Sequence, residues 1–98
     1  MRLAPHEIAA IKAAARKAFG DTAVVRLFGS RVDDSKRGGD IDLHVEVDPP
    51  FDIWSKKDEF LERLFERLDP QRVDVIATAR GDAVRPIERI AYRDGIVL

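Results

Sequence analysis

No cysteine occurs in the 98 residues, so neither a disulfide framework nor a thiolate zinc site is available. That absence suits a reducing cytoplasm, the expected location. No strong charge of one sign is present either: the formal net charge is −1, from 17 basic and 18 acidic residues. A non-specific nucleic-acid binder needs a basic surface, because its affinity rests on neutralising phosphates. Direct binding of long nucleic acids is therefore not expected. Long apolar runs are missing as well. Lys12, Arg16 and Lys17 interrupt the first apolar segment, which excludes a signal peptide and a membrane span there. The chain shows no repeats, linkers or low-complexity stretches. Its length fits one domain, residues 1–98, with a single core.

What is there is organised by hydrophobic period. Residues 6–19 predict a helix, with Ile8, Ile11, Ala15 and Ala18 at helical spacing, Pro5 at its entry and Gly20-Asp21 at its end. Residues 23–28 predict a strand. Loop formers fill 29–39, including Gly29, Asp33, Asp34, Ser35, Gly38 and Gly39. Residues 40–47 alternate cleanly. Ile41, Leu43, Val45 and Val47 take one face, and Asp40, Asp42, His44 and Glu46 the other.

Asp48-Pro49-Pro50 ends that strand. A helix from about Asp52 to Leu68 follows, with an apolar stripe of Phe60, Leu61, Leu64, Phe65 and Leu68. Pro70 stops it, and 72–76 predict a β-branched strand. The tail predicts a short helix with Ile87, Ile90 and Ala91 on one face, a turn at Asp94-Gly95, and a final strand at Ile96–Leu98. This order predicts an α+β fold: a small mixed sheet with helices packed on its apolar face, the polar face left open for chemistry.

Three carboxylates stand out against this background. Asp40 and Asp42 project from the same strand face, their Cα atoms roughly 6.6 Å apart at about 3.3 Å per residue. Two such groups repel unless a cation, a shared proton or a basic neighbour offsets them. Asp74 interrupts the apolar run Val73–Ile76, and if the two strands are neighbours all three carboxylates converge. Hard divalent cations prefer carboxylate oxygens, and magnesium takes substrate phosphates as further ligands. We read the set as a magnesium site. Two such ions can clamp the attacking and leaving oxygens of an in-line displacement.

The pattern Gly29-Ser30-Arg31, then Gly39-Asp40-Ile41-Asp42-Leu43, then Val73-Asp74-Val75 resembles the DNA polymerase beta-type nucleotidyltransferase superfamily. Within it the chain resembles the minimal nucleotidyltransferases, antitoxins that act on HEPN-domain toxins. The resemblance runs from the first helix to the Tyr92–Gly95 region. It departs at Gly39, where many relatives have Ser, and at Val32-Asp33, in place of a commoner Ala-Arg. It implies a polymerase beta-like core and a catalytic, metal-binding trio of Asp40, Asp42 and Asp74. Asp40 and Asp42 would hold both Mg2+ ions, and Asp74 the ion nearer the acceptor hydroxyl. It also implies nucleotide binding by Gly29, Ser30 and Arg31.

The resemblance implies an activity too: transfer of AMP from ATP to a tyrosine of a HEPN toxin partner. A non-catalytic antitoxin and a transferase for small hydroxylated molecules are the rival readings. Little chain remains beyond the catalytic module, so the acceptor is expected to bring its own binding surface. Lys36 and Arg37 join Arg31 as a basic cluster suited to a triphosphate. His44 is expected to lie outside the site, Glu46 to be solvated and Trp54 to pack.

Overall fold

The computed structural model describes residues 3–32, 40–49 and 52–98. Helix α1 (Pro5–Phe19) leads into strand β1 (Val24–Phe28), and a single 3₁₀ turn (Gly29–Val32) follows. Then come β2 (Ile41–Val47), α2 (Ile53–Leu64), β3 (Val73–Ala79), α3 (Pro86–Asp94) and the short β4 (Ile96–Val97). The remainder of the expected loop, including Lys36, Arg37 and Gly39, lies outside the described residues, as does Pro50.

The four strands form one mixed sheet in the order β3-β2-β1-β4. β1 runs antiparallel to β2 and β4, whereas β2 and β3 are parallel. A parallel pair needs a crossover, and α2 supplies it. Each helix is tied at its ends. The Glu7 carboxylate accepts from the Ala4 N–H at 2.9 Å, and the Gly20 N–H donates to the Arg16 carbonyl. At α2 the Asp52 side chain accepts from the Ser55 N–H.

The core lies between one sheet face and helices α1 and α2. Ile41, Leu43, Val45 and Val47 are all fully buried, as the alternation of β2 requires. Ala10, Ile11, Ala14, Ala15 and Ala18 press α1 against them, and Phe19 meets Phe60 of α2 with ring centroids 5.5 Å apart. Each large side chain sealed here contributes about 1.5–3 kcal/mol. The α2 stripe continues into the turn after Leu64, where Leu68 is also buried.

Four details differ from the sequence reading, the first being that α2 ends at Leu64 and not near Leu68. β3 runs three residues beyond 76, because Ala77, Thr78 and Ala79 continue the parallel ladder with Val45, Glu46 and Val47. The polar sheet face is open at one end only, since α3 lies across the other. That helix buries Glu88 and Ala91 and leaves Ile87 and Ile90 exposed. Of its expected apolar face only Ala91 turns inward and the two isoleucines turn outward, because what the helix meets on the sheet is largely polar.

Candidate active site

The parallel register sets Asp42 directly beside Asp74, and the antiparallel register sets Phe28 on the other side of Asp42. Asp40 stands one residue before β2. Neighbouring strands lie roughly 4.8 Å apart, so this register alone brings the three carboxylates together. They occupy the end of the polar face that α3 does not reach.

The electrostatics record the crowding. Partial burial pushes the Asp42 carboxyl above its ordinary range, and the negative charges of Asp74 and Asp40 push it further; a hydrogen bond with Asp74 adds to this. Arg72 partly offsets it. Its Nε lies 3.3 Å from Asp40 Oδ2 and 3.7 Å from Asp74 Oδ2, while the arginine side chain is 73% exposed. A basic neighbour therefore stands between two of the carboxylates.

Gly29 turns the chain at this end of β1. Its φ of 76° favours glycine, and a Cβ there would collide with the Asp42 carboxylate. The 3₁₀ turn that begins at Gly29 carries Ser30 and Arg31 in its backbone, so all three residues expected to bind nucleotide follow β1 beside Asp42. Arg31 is partly exposed.

Do these groups suit a divalent cation? The donor chemistry does: three carboxylates in adjacent register, one with its proton affinity raised by the others. The side chains do not form a ready-made cage, since no three acidic or histidine groups among the described residues converge on one ion position as they stand. Arg72 holds the space between Asp40 and Asp74. A cation at this site has to displace its guanidinium, which is free to swing outward into solvent.

A family model for the nucleotidyltransferase domain matches residues 8–97. The chain belongs to the nucleotidyltransferase domain family. Membership supports nucleotidyl transfer as the general activity, and an enzyme of the transferase class. No curated protein sequence matches the chain. Among the described residues no helix is long and apolar enough to cross a membrane.

The rest of the polar face of this nucleotidyltransferase domain is built differently. His44, two residues past Asp42, is fully buried, and its ring meets Tyr92 of α3 at 4.7 Å between centroids. Thr78 gives its one proton to the Glu88 carboxylate, so His44 Nε2 must donate to Thr78 Oγ1 at 2.9 Å. Among the described residues the Nδ1 atom has no hydrogen-bond partner. Burial, then the nearby Arg26 guanidinium, hold the His44 pKa below its ordinary value, which disfavours the charged ring.

Glu46 is not solvated either: it pairs with Arg26 at 3.2 Å and with Arg80 at 3.7 Å. Trp54 departs furthest from expectation, 79% exposed with Lys57 Nζ 5.2 Å from its ring centroid. It sits in the first turn of α2 and lines a groove with residues of β3. Neither His44 nor Glu46 carries a spacing that marks its partners; the position of α3 decides them.

Proposed function

We propose that the chain is a Mg2+-dependent nucleotidyltransferase that moves AMP from ATP to a tyrosine hydroxyl of a HEPN-domain toxin partner. The in-register pairing of Asp42 with Asp74, on an open sheet end beside the Gly29 turn, carries this reading. Asp40, Asp42 and Asp74 would hold the divalent ions. Such ions, once bound, offset the triphosphate charge and polarise the attacking oxygen.

The chain's own residues do the rest. Gly29 allows the backbone to approach a phosphate closely, and the N–H groups of the turn suit an anion. Ser30 and Arg31 add donors to the triphosphate. Asp74, on the margin strand, faces the acceptor and takes or orients the tyrosine proton. The tyrosine oxygen forms a bond to the α-phosphorus, the bond from that phosphorus to the bridging oxygen breaks, and pyrophosphate leaves. The tyrosine identity and the HEPN partner rest on the sequence resemblance, and the near-neutral charge favours a protein acceptor over long nucleic acid.

Incubation with ATP labelled at the α-phosphorus, Mg2+ and the HEPN partner tests the proposal. The partner acquires label with the wild-type chain and none with Asp42→Asn. An unlabelled partner that is nonetheless bound and inhibited by both forms would instead make the chain a non-catalytic antitoxin.

A further inference from the structure

Helix α3 leaves two isoleucines uncovered, and the way it crosses the sheet decides which side they face. Glu88 meets Thr78 of β3. Tyr92 meets the ring of His44 on β2, and the Arg26 guanidinium of β1 lies 4.7 Å from the Tyr92 ring centroid. α3 therefore runs across the strands from β3 toward β1. The Tyr92 hydroxyl is hydrogen-bonded to the Glu46 side chain, so this residue leans away from Asp42. At about 3.6 residues per turn, the order around the sheet-facing side is Tyr92, Glu88, Ala91, Ile87. Glu88 and Ala91 are buried. Ile87 consequently occupies the flank opposite Tyr92, the one toward Asp42 and Asp74, and Ile90 lies above it and farther along. The two are 42% and 43% exposed.

The sheet continues the same apolar surface. The register pairs Asp42 with Asp74, His44 with Ile76 and Glu46 with Thr78. Ile76 thus lies on the polar face two residues past Asp74, with Cα atoms roughly 6.6 Å apart at about 3.3 Å per residue. It is partly exposed. Because Glu88 meets Thr78, the first turn of α3 stands over this part of β3, and Ile87 overlooks Ile76. Toward β1 the flank becomes polar at Asp94, which Arg93 already bonds at 2.9 and 3.0 Å. An apolar corner of Ile76, Ile87 and Ile90 therefore adjoins Asp74. The Gly29 turn follows β1, on the other side of Asp42. Single exposed apolar side chains are ordinary; three gathered beside a carboxylate cluster have the pattern of a binding surface.

We infer that this corner seats the aromatic ring of the acceptor tyrosine and presents its hydroxyl to Asp74. The acceptor's identity rests on the proposed function; the shape of the seat does not. The three isoleucines offer no hydrogen-bonding side-chain atom, so a small polar acceptor gains nothing from them. A phenol has an apolar body and one polar tip. Its ring can lie on Ile76 and against Ile87 while its oxygen reaches the carboxylate two residues away. The triphosphate is held from the opposite side, at the turn that begins with Gly29, which leaves the β3 side to the acceptor.

The probe is N-acetyltyrosinamide, followed through the methyl signals of Ile76, Ile87 and Ile90 in the whole chain. It shifts all three saturably, N-acetylphenylalaninamide does the same, and N-acetylserinamide shifts none. Ile87→Ser weakens the tyrosinamide response of the remaining two at least about fivefold. Val97→Ser, at another exposed apolar position on β4, leaves it unchanged. In label transfer, Ile87→Ser lowers the preference for a partner with its target tyrosine over one with serine there by at least about tenfold, while KM for ATP stays within about twofold. Asp42→Asn keeps the methyl shifts and transfers no label, which separates docking from chemistry.

Unshifted methyl signals with the tyrosinamide overturn the inference, whatever the transfer assay gives. Shifts produced by ATP and Mg2+ alone, with KM for ATP raised in Ile87→Ser, overturn it too and assign the corner to the base. A chain that shows the tyrosinamide shifts yet labels no partner loses the proposed function and keeps the aromatic seat.

Discussion

The two ends of the polar sheet face use the same strands and opposite electrostatic strategies. At the end covered by α3, charge is compensated. Glu46 has Arg26 and Arg80, Asp48 has Arg80 at 2.7 Å, and Glu88 takes the Arg85 N–H and Nε, each at 2.8 Å, besides Thr78. Although burial alone would push the Glu88 carboxyl up, its hydrogen bonds from Thr78 and Arg85 outweigh this and hold it below the usual range. At the other end, among the described residues, three carboxylates share one exposed arginine, and the Asp42 carboxyl is pushed up. Among the described residues one end is compensated by the protein and the other is not, and an uncompensated carboxylate cluster is the contrast on which the proposed site rests.

Substitutions sharpen this contrast in order of size. Asp42→Asn or Asp74→Asn should lower label transfer by at least about 10³-fold, the scale of losing a major electrostatic contact to a transition state. Initial rates with α-labelled ATP measure it. Glu88→Ala, at the finished end, should destabilise by roughly 3–5 kcal/mol, because it strips a buried carboxylate from its partners and loosens the start of α3. Urea unfolding monitored by circular dichroism gives the value.

Asp42→Asn should have the opposite sign in stability. The folded chain holds the Asp42 proton more tightly than the unfolded chain does, so this group favours folding most below the unfolded carboxyl value of about 3.9. Its contribution is lost as pH rises through the raised folded value. At neutral pH without divalent ions, the asparagine form should be more stable by about 0.5–1 kcal/mol. The gain should vanish near pH 3, as thermal melts across pH will show. A loss of stability at neutral pH would erase the distinction between the two ends. Smallest is Arg72→Ala, which removes the competitor between Asp40 and Asp74 and should tighten Mn2+ binding about twofold, near 0.4 kcal/mol.

Much of this was legible before folding was considered. The strict alternation of 40–47 fixes which side chains of β2 enter the core, and it sets Asp40 and Asp42 on the other face. Asp74 sits in a β-branched run, and a parallel neighbour is the arrangement that a helix between two such strands favours. The direct opposition of Asp42 and Asp74 was not legible, since register across 32 residues is set by packing and not by local pattern.

The tail misled for a physical reason. Ile87, Ile90 and Ala91 resemble a buried helical stripe, yet the surface awaiting α3 presents His44, Thr78 and Glu46. The helix turns Glu88 and Tyr92 toward those groups, and the isoleucines stay outside. Trp54 failed similarly: helical position alone does not reveal that the core ends before the first turn of α2.

Calorimetric titration of Mn2+ into the wild-type chain and into Asp42→Asn tests the account most directly. Saturable binding by the wild type, weakened at least about tenfold (some 1.4 kcal/mol) in the variant, is the predicted result. Equal heats from both proteins would contradict it, leaving the three carboxylates as an ordinary charged rim held by Arg72.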